Sequence, residues 1–331
     1  MFSESKSPYK KSWLTSCYMA IVFGFGLMPL SDLQANERAA RSQERIIAGV
    51  EATSSDARFP VSIRNSNGHF CGGVLVSPKL TDDPEDTEKK IVTDWTGTNA
   101  NSRWILTAAH CVNHAVADGS SDPTSALTVL SGSRKVNDVG EGVIQKVEKI
   151  YVHPDYDEFT LENDIALLHL EISPKVFDGN LATDPIRLSI RLPRQEDFNW
   201  LNRDFTALNV AGWGTPAEGS VTTVINLQRV QVPLFNHGLC QDNYGFFGDQ
   251  VTDTMLCAGF ISGEFDACQG DSGGPIFYRP TELSQFSSQP ILVGVVSWGR
   301  GCGRADLPGI YTSVSHFLPW LSRTVESAIN G

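Results

Sequence analysis

Residues 266–275 read DACQGDSGGP, and Ser272 lies there between Asp271 and two glycines, with Gly270 two positions earlier. Glycine permits a positive φ and lets a substrate approach the main chain closely. A turn of this composition can direct the N–H groups of Gly270 and Ser272 at one point, where a carbonyl oxygen attacked by the serine hydroxyl would gain negative charge. The motif predicts a nucleophile with its own oxyanion hole. On this motif alone, a glycine-rich structural turn with an incidental serine remains an open alternative.

Two further groups are needed, because a serine hydroxyl is a weak nucleophile near neutral pH. It requires a base, and a third group that holds the base in one tautomer. Residues 106–111 read LTAAHC and place His110 after a run of small residues, and residues 163–170 read NDIALLHL and place Asp164 before an apolar strand. A lone histidine is usually structural or solvated, and an aspartate before a strand is usually a turn residue. The three motifs together indicate a catalytic triad.

With these motifs the sequence resembles the trypsin-like (chymotrypsin-fold) serine proteases, which carry them in the chain order His, Asp, Ser. The resemblance extends from about Arg45 to the C-terminus. It implies that Ser272 is the nucleophile, His110 the base and Asp164 the group that orients it, with the oxyanion held by the Gly270 and Ser272 N–H groups. Further matching motifs are RIIAG at 45–49, FCGG at 70–73, GWG at 212–214, VSWG at 296–299 and PGIYT at 308–312.

The resemblance also implies a substrate pocket below Ser272 with Asp266 at its floor. A carboxylate buried in a slot favours a cationic side chain, since either partner alone would be desolvated and unpaired. We therefore expect cleavage after Arg or Lys, with Arg preferred because Ala267 stands where many relatives have a serine. The alternative is that Asp266 points to solvent. The remaining pocket residues implied are Ser297, Trp298, Gly299 and Gly309.

The fold expected is all-β, because short apolar runs rich in β-formers alternate with turns. Two six-stranded antiparallel β-barrels, which remove exposed strand edges, match what the family builds. The first barrel is expected at about 46–172 and the second at about 186–314, with the active site in the cleft between them. Phe317, Leu321 and Val325 recur every four residues and predict a C-terminal helix at about 316–329. The predicted strands are 60–63, 73–76, 104–107, 127–130, 142–151 and 165–170, then 206–211, 227–233, 255–258, 275–277, 291–298 and 309–312.

The N-terminal residues are interpreted as a targeting segment and not as part of the folded domain. Residues 1–35 combine early lysines with an apolar run at 18–30, which is typical of a secretory signal peptide and is too short to span a membrane. Residues 36–45, NERAARSQER, are polar and aperiodic, as in a cleavable propeptide. By resemblance, cleavage after Arg45 frees the amine of Ile46 to pair with Asp271, so that 46–331 is the protease domain. The structural alternative for Asp271 is an ordinary turn aspartate.

Cysteine usage agrees with export. Seven cysteines occur, and Cys17 falls within the signal, which leaves six in the mature chain. An even number in a secreted protein indicates disulfides, although the sequence allows many pairings. Metal binding is the competing interpretation, but no C-x-x-C pair occurs, and zinc is not expected. The resemblance implies the pairs Cys71–Cys111, Cys240–Cys257 and Cys268–Cys302.

Composition limits the partners and cofactors. The chain has 331 residues and a formal net charge of −12, which argues against nucleic-acid binding. We expect peptide or protein substrates, an activating protease and protein inhibitors as partners, no membrane contact after signal removal, a monomer, and a location outside the cell or in a periplasm. No cofactor or metal is expected. In relatives that bind calcium, a loop of the first barrel supplies the oxygens, but residues 132–142 read GSRKVNDVGEG, with Arg134 and Lys135 opposing a cation.

One segment departs from the family pattern. Residues 78–102 add a long polar stretch with acids at 82, 83, 85, 86 and 88, which predicts a solvated loop, with a partner-binding loop as the alternative. The motifs disfavour two other functions. A catalytically silent binding module of the same fold is disfavoured because the three triad residues and Gly270 are intact. An esterase or lipase using this triad presents Ser before Asp before His, which is not the order here.

Overall fold

The structure is a computed structural model, and it describes residues 49–53, 56–96, 102–117, 126–138, 140, 142–171, 190–280 and 289–331. All of these belong to one compact unit, Glu44–Gly331. The predicted signal segment 1–35, the predicted propeptide 36–45 and Ile46 lie outside the described residues. No helix in the described part of the chain is long and apolar enough to cross a membrane.

Within these ranges the chain forms fifteen strands, four α-helices and short 3-10 helices. The strands are β1 Val50–Glu51, β2 Pro60–Asn65, β3 Gly68–Val76, β4 Lys79–Asp82, β5 Lys90–Asp94, β6 Trp104–Thr107, β7 Thr128–Ser131, β8 Val143–Val152, β9 Ala166–Leu170, β10 Ala207–Gly212, β11 Gln228–Pro233, β12 Met255–Ala258, β13 Pro275–Tyr278, β14 Ile291–Trp298 and β15 Gly309–Ser313. The helices are α1 Asn113–Ala117, α2 Phe198–Leu201, α3 His237–Gly245 and α4 Val314–Asn330.

The first barrel is closed, with strand order β2-β3-β6-β9-β8-β7 and antiparallel pairing throughout. A tight turn joins β2 to β3, where Gly68 has φ +105°, a conformation that a side chain would disfavour. Inside the barrel, Ile63, Ile105 and Leu168 are fully buried and pack in one cluster. Closure leaves no free strand edge.

The second barrel is built from β11, β10, β13, β14, β15 and β12 in that order, and β1 is added at the outer edge of β11. An antiparallel bridge between Leu234 and Ala258 joins the end of β11 to β12, so the six strands return on themselves. Leu208, Val210 and Ile276 fill its interior. The expectation of an all-β fold with two six-stranded barrels is confirmed.

A third apolar cluster joins the two barrels to the terminal helix. It contains Trp104 of the first barrel, Phe277 of the second, and Phe317, Leu321 and Val325 of α4. The three α4 residues have at most 3% of their surface exposed, as the four-residue spacing predicted. The C-terminal helix is therefore confirmed, and it buries its apolar face against both barrels.

The acidic insert differs from the solvated loop that its composition predicted. Strands β4 and β5 pair antiparallel, and β5 lies along α4, where Lys90 N–H donates to Asn330 Oδ1 at 2.9 Å and Val92 N–H donates to Glu326 Oε1 at 2.7 Å. The Trp95 indole N–H also donates to Ser322 Oγ at 3.2 Å. Only the tip of this hairpin, with its acids exposed or half-exposed, matches the expected solvated loop.

Three disulfides form, with the pairing that the resemblance implied: Cys71–Cys111, Cys240–Cys257 and Cys268–Cys302. The first joins β3 to the 3-10 helix that carries His110. The third joins the segment before Ser272 to the segment after β14. Two of the three therefore lie next to residues of the predicted site.

Candidate active site

The Ser272 turn lies where the two barrels meet. Gly72 of β3 donates its N–H to Ser272 O at 2.7 Å, and Thr107 Oγ1 donates to Gly72 O at 2.8 Å. Gly273 has φ +76°, and a Cβ there would lie 2.2 Å from Thr107 Oγ1. Glycine is needed at this position both for its backbone conformation and for the close approach of the first barrel.

Two N–H groups of this turn are unoccupied. In the described part of the chain, neither the Gly270 nor the Ser272 N–H donates to a protein acceptor. Gly270 has φ +94°, which few residues other than glycine adopt. Both donors are therefore available to an oxygen that enters the turn.

His69 supports this turn and was not identified from the sequence. Its Nε2 lies 3.1 Å from Gly270 O, its Nδ1 lies 2.8 Å from Ser62 Oγ, and its ring packs edge-on against Trp213. Burial lowers the pKa of His69 to about 4, so the ring is neutral near pH 7. With Nε2–H donating to Gly270 O, Nδ1 accepts from the Ser62 hydroxyl. The available signal was a histidine directly before the FCGG motif.

His110 and Asp164 form a doubly bonded pair. The His110 Nδ1–H donates to Asp164 Oδ2 at 2.7 Å, and the His110 backbone N–H donates to Asp164 Oδ1 at 2.9 Å. Asp164 is fully buried, whereas the His110 side chain remains 26% exposed. This contact fixes the imidazole with Nε2 as its basic nitrogen.

Second-barrel residues hold Asp164 in place. The Ser297 hydroxyl of β14 donates to Asp164 Oδ2 at 2.5 Å, and the Thr312 hydroxyl of β15 donates to Asp164 O at 2.7 Å. Ser297 was predicted as a pocket wall, and it does line the pocket, but its hydroxyl is directed to Asp164. Asp164 is therefore bonded to both barrels, and a buried carboxylate needs such donors.

The Cys71–Cys111 disulfide brings the histidine and the serine together. Cys111 Sγ lies 3.7 Å from His110 Nε2 and 3.6 Å from Ser272 O. His110 and Asp164 are therefore in direct contact and Ser272 lies near them across Cys111, although no hydrogen bond joins Ser272 Oγ to His110 Nε2 in the described part of the chain. The same cysteines and His110 are the one described group close enough to hold a metal ion. Because both sulfurs are in a disulfide, neither is available as a thiolate ligand.

A cavity of about 200 Å³ opens beside Ser272. Every pocket residue expected from the sequence lines this cavity, and several residues that were not expected line it as well. Asp266 is 4% exposed there, and burial raises its pKa to about 7. The full lining is Asp266, Ala267, Cys268, Gln269, Ser272, Val296, Ser297, Trp298, Gly299, Gly301, Cys302, Gly309, Ile310 and Tyr311.

The Asp266 carboxylate accepts two backbone hydrogen bonds. Its Oδ1 accepts the Ala267 N–H at 2.8 Å, and its Oδ2 accepts the Gly303 N–H at 2.9 Å. No cationic side chain of the described residues lies within ion-pair distance of it. Each oxygen therefore keeps acceptor capacity for a group that enters the cavity.

Gly309 and Tyr311 complete the region around Asp266. A Cβ on Gly309 would lie 2.7 Å from Asp266 Oδ1 and 3.1 Å from the Tyr311 hydroxyl, so glycine is required for space. The Tyr311 hydroxyl is buried and has no partner among the described residues. Burial raises the pKa of Tyr311, so the hydroxyl is neutral. The PGIYT motif contained Tyr311, but only its glycine was assigned to the pocket.

Asp271, beside Ser272, is fully buried. Its Oδ1 accepts the Gly214 N–H at 2.7 Å and its Oδ2 accepts the Cys268 N–H at 2.9 Å. Burial raises the pKa of Asp271 to about 6. A Cβ on Gly214 would lie 2.4 Å from Asp271 Oδ2, which explains the last glycine of the GWG motif. Among the described residues no cationic side chain forms an ion pair with this carboxylate, and a buried charge without such a partner is costly.

Two barrels around a cleft with a histidine–aspartate pair and a serine define a chymotrypsin-fold hydrolase. The family model described as Trypsin matches residues 92–321. The chain therefore belongs to the trypsin family of serine proteases, as the sequence motifs indicated.

Sequence similarity to known trypsins extends over most of this chain and most of each relative. Trypsin-1 of Astacus astacus is 39% identical over 282 residues, which is 83% of this chain and 98% of that protein. Trypsin 5G1 of Aedes aegypti is 33% identical over 309 residues, or 93% and 95% of the two chains. Trypsin Blo t 3 of Blomia tropicalis is 32% identical over 296 residues, or 88% and 91%.

Proposed function

We propose that the chain is a secreted serine endopeptidase, made as an inactive precursor, that hydrolyses peptide bonds after Arg and less efficiently after Lys. The observation that carries this specificity is the buried carboxylate of Asp266 in the cavity beside Ser272, which no cationic side chain of the described ranges pairs with. A substrate cation entering the cavity would meet two carboxylate oxygens that each already accept one backbone N–H. This favours a side chain that can bond to both oxygens.

The chemistry follows from the atoms of the site. Ser272 Oγ attacks the carbonyl carbon of the scissile bond, and its proton passes to Nε2 of His110. The oxyanion is held by the Gly270 and Ser272 N–H groups. His110 then donates the proton to the leaving amine, which departs and leaves an acyl group on Ser272. Water, deprotonated by His110, attacks the acyl carbonyl carbon, and the bond to Ser272 Oγ breaks as His110 returns the proton to that oxygen, which releases the carboxylic acid product.

Asp164 orients His110 during these steps. With Nδ1–H donating to Asp164, Nε2 is the atom that exchanges protons, and the imidazolium that forms is next to a carboxylate. The Ser297 hydroxyl holds that carboxylate from the other side. This arrangement supports an active enzyme over a catalytically silent binding module.

Activation is proposed to depend on Asp271. Cleavage after Arg45 would free the amine of Ile46, which would enter as the cationic partner that the buried Asp271 carboxylate requires. Since Gly270 and Ser272 flank Asp271, the pairing would stabilise the turn that presents the oxyanion donors. Secretion is proposed on the signal-like segment 1–35 and the three disulfides.

The experiment that tests the proposal is a cleavage profile of the activated protein. Residues 41–45 are replaced by the recognition sequence of a highly specific protease, so that its cut exposes Ile46. The product is incubated with a random peptide library, and Ser272→Ala is the control. We expect cuts after Arg, fewer after Lys, and none with the control. Cuts after Phe or Leu would contradict the role of Asp266, and cuts by the control would contradict that of Ser272.

A further inference from the structure

The segment 301–304 reaches the cavity with its first two residues and carries a hydrogen bond to Asp266. Gly301 and Cys302 line the cavity, and the Gly303 N–H donates to Asp266 Oδ2 at 2.9 Å. Gly301 and Gly303 have φ of +85° and +64°. Glycines are intrinsically free to take other conformations. The position of the Gly303 donor therefore depends on contacts from neighbouring groups.

Glu218 supplies such contacts from a different segment. Its Oε2 accepts Arg304 Nε–H at 3.0 Å and the Cys302 N–H at 3.4 Å. Its Oε1 accepts from Arg304 Nη2, which makes the Arg304–Glu218 pair bidentate. Two parallel bonds of this kind fix geometry as well as adding energy. The Arg304 guanidinium in turn holds the pKa of Glu218 below its usual range.

The pair packs directly on the cavity wall. A Cβ on Gly301 would lie 2.5 Å from Glu218 Oε2 and 2.3 Å from Arg304 Nε. Neither group can move inward without displacing the Gly301 main chain. The carboxylate thus contacts residues 301, 302 and 304, on both sides of the Gly303 donor.

The loop that carries Glu218 is anchored to the opposite wall. Thr215 N–H donates to Gln269 O at 2.7 Å, and its hydroxyl contacts Gln269 Oε1 at 3.2 Å. Gln269 lines the cavity and precedes Gly270. Residues 215–218 therefore connect the Ser272 turn to the segment that bonds to Asp266.

We propose that Glu218 is a positioning residue for substrate specificity: paired with Arg304, it fixes segment 301–304 so that Asp266 is held to receive a cationic side chain. The inference rests on the proposed function, since it concerns how tightly that cation binds. Loss of the pair should raise KM for Arg and Lys substrates and change kcat little, because the pair touches neither Ser272 nor His110.

The variants must distinguish an effect on the position of segment 301–304 from a direct electrostatic effect on the bound cation. Glu218→Gln removes the anion and leaves the Arg304 cation near the cavity, so it weakens cation binding on either explanation. Arg304→Gln makes the region more negative, so a purely electrostatic effect would strengthen cation binding. If Glu218 and Arg304 instead position segment 301–304, Arg304→Gln should weaken cation binding as well. The matched control is Asp82→Asn, which breaks the Asp82–Lys90 ion pair of the β4–β5 hairpin.

The measurement uses the activated protein and benzamidine, a small amidinium cation that lacks the peptide part of a substrate. We expect both Glu218→Gln and Arg304→Gln to weaken benzamidine binding by about two- to fivefold, the range that corresponds to the usual energy of half-exposed ion pairs. The rate of inactivation by a small neutral sulfonyl fluoride at Ser272 should stay unchanged, as should all values for Asp82→Asn. Unchanged or tighter benzamidine binding in Arg304→Gln would overturn the inference. It would also be overturned if the rate of inactivation at Ser272 fell in the two variants by the same factor as the affinity for benzamidine. Wild-type protein that fails to bind benzamidine would contradict the proposed specificity itself.

Discussion

The Ser297 hydroxyl donates a hydrogen bond to Oδ2 of Asp164 at 2.5 Å, the same carboxylate oxygen that faces Nδ1 of His110. Ser297 belongs to β14 of the second barrel, and Asp164 precedes β9 of the first. The contact therefore ties the orientation of His110 to the relative position of the barrels. A buried carboxylate with one fewer donor is less stable in its ionised form.

Ser297→Ala should lower kcat/KM without unfolding the protein. Removal of one hydrogen bond to a charged group costs about 1.5–3 kcal/mol, so a loss of roughly tenfold to a hundredfold is expected. Steady-state kinetics of the activated protein measure it, with Ser313→Ala on β15 as the control. Wild-type kinetics in Ser297→Ala would mean that Asp164 is adequately held by His110 and the backbone alone.

The pKa of Asp266, raised to about 7 by burial, predicts a pH-dependent substrate affinity. A raised pKa means that the carboxyl is protonated and neutral below about pH 7 in the free enzyme. Cation binding should therefore weaken as pH falls through this value, approaching about tenfold per pH unit at lower pH. Binding of benzamidine, which stays cationic throughout, is measured by calorimetry from pH 5 to 9. Constant affinity over that range would show that Asp266 remains ionised when the cavity is empty.

The uncleaved precursor should be folded but inactive. In Arg45→Gln, Ile46 has no free amine, so Asp271 lacks its cation and the turn that holds Gly270 and Ser272 loses support. We expect a cooperative thermal transition with no turnover of a peptide ester. The control is the same preparation with Arg45 retained and cleaved. Full activity in Arg45→Gln would refute the proposed activation.

Calcium should not stabilise the protein. Three carbonyls of the loop at 132–142 already accept other donors: Arg134 O from the Trp213 indole, Lys135 O from the Ser133 hydroxyl, and Val136 O from Arg64. Calcium requires six or more oxygen ligands. We expect the same Tm with calcium and with magnesium at equal ionic strength. A clear rise in Tm with calcium alone would show that the loop rearranges to bind it.

Local motifs explain what the sequence predicted correctly. Strands such as β14 and the apolar face of α4 follow from residue type and spacing within a short window. Some of the residues that line the cavity beside Ser272, among them Asp266 and Gly309, followed from family motifs, each of which is also short. Both kinds of signal reside in consecutive residues, so they are visible without knowledge of the tertiary contacts.

The features that were missed depend on pairs far apart in the chain. His69 and Gly270 are separated by 201 residues, and Glu218 and Arg304 by 86. Lys90, in the acidic insert, is 240 residues from its partner Asn330. Nothing in the local composition of the insert predicts a hairpin on α4, since the decisive donors and acceptors come from the terminal helix. Tertiary contacts overrode the loop-forming tendency of a polar stretch.

Arginine should be preferred to lysine at the residue before the cut. Each oxygen of Asp266 has one backbone donor already, so a guanidinium can donate one N–H to each oxygen in a two-pronged contact. A lysine ammonium is shorter and finds Ala267, which offers no hydroxyl, beside the carboxylate. One unmet hydrogen bond is worth about 1 kcal/mol, which predicts a kcat/KM ratio of roughly several-fold to tenfold in favour of arginine. Paired peptides that differ only at this residue give the ratio, which reports differential transition-state binding. Ala267→Ser supplies the missing hydroxyl, so it should raise kcat/KM for the lysine peptide and reduce the preference for arginine. If wild-type protein cleaves both peptides equally, another group satisfies the ammonium, and the neutral Tyr311 hydroxyl can be tested for that role with Tyr311→Phe.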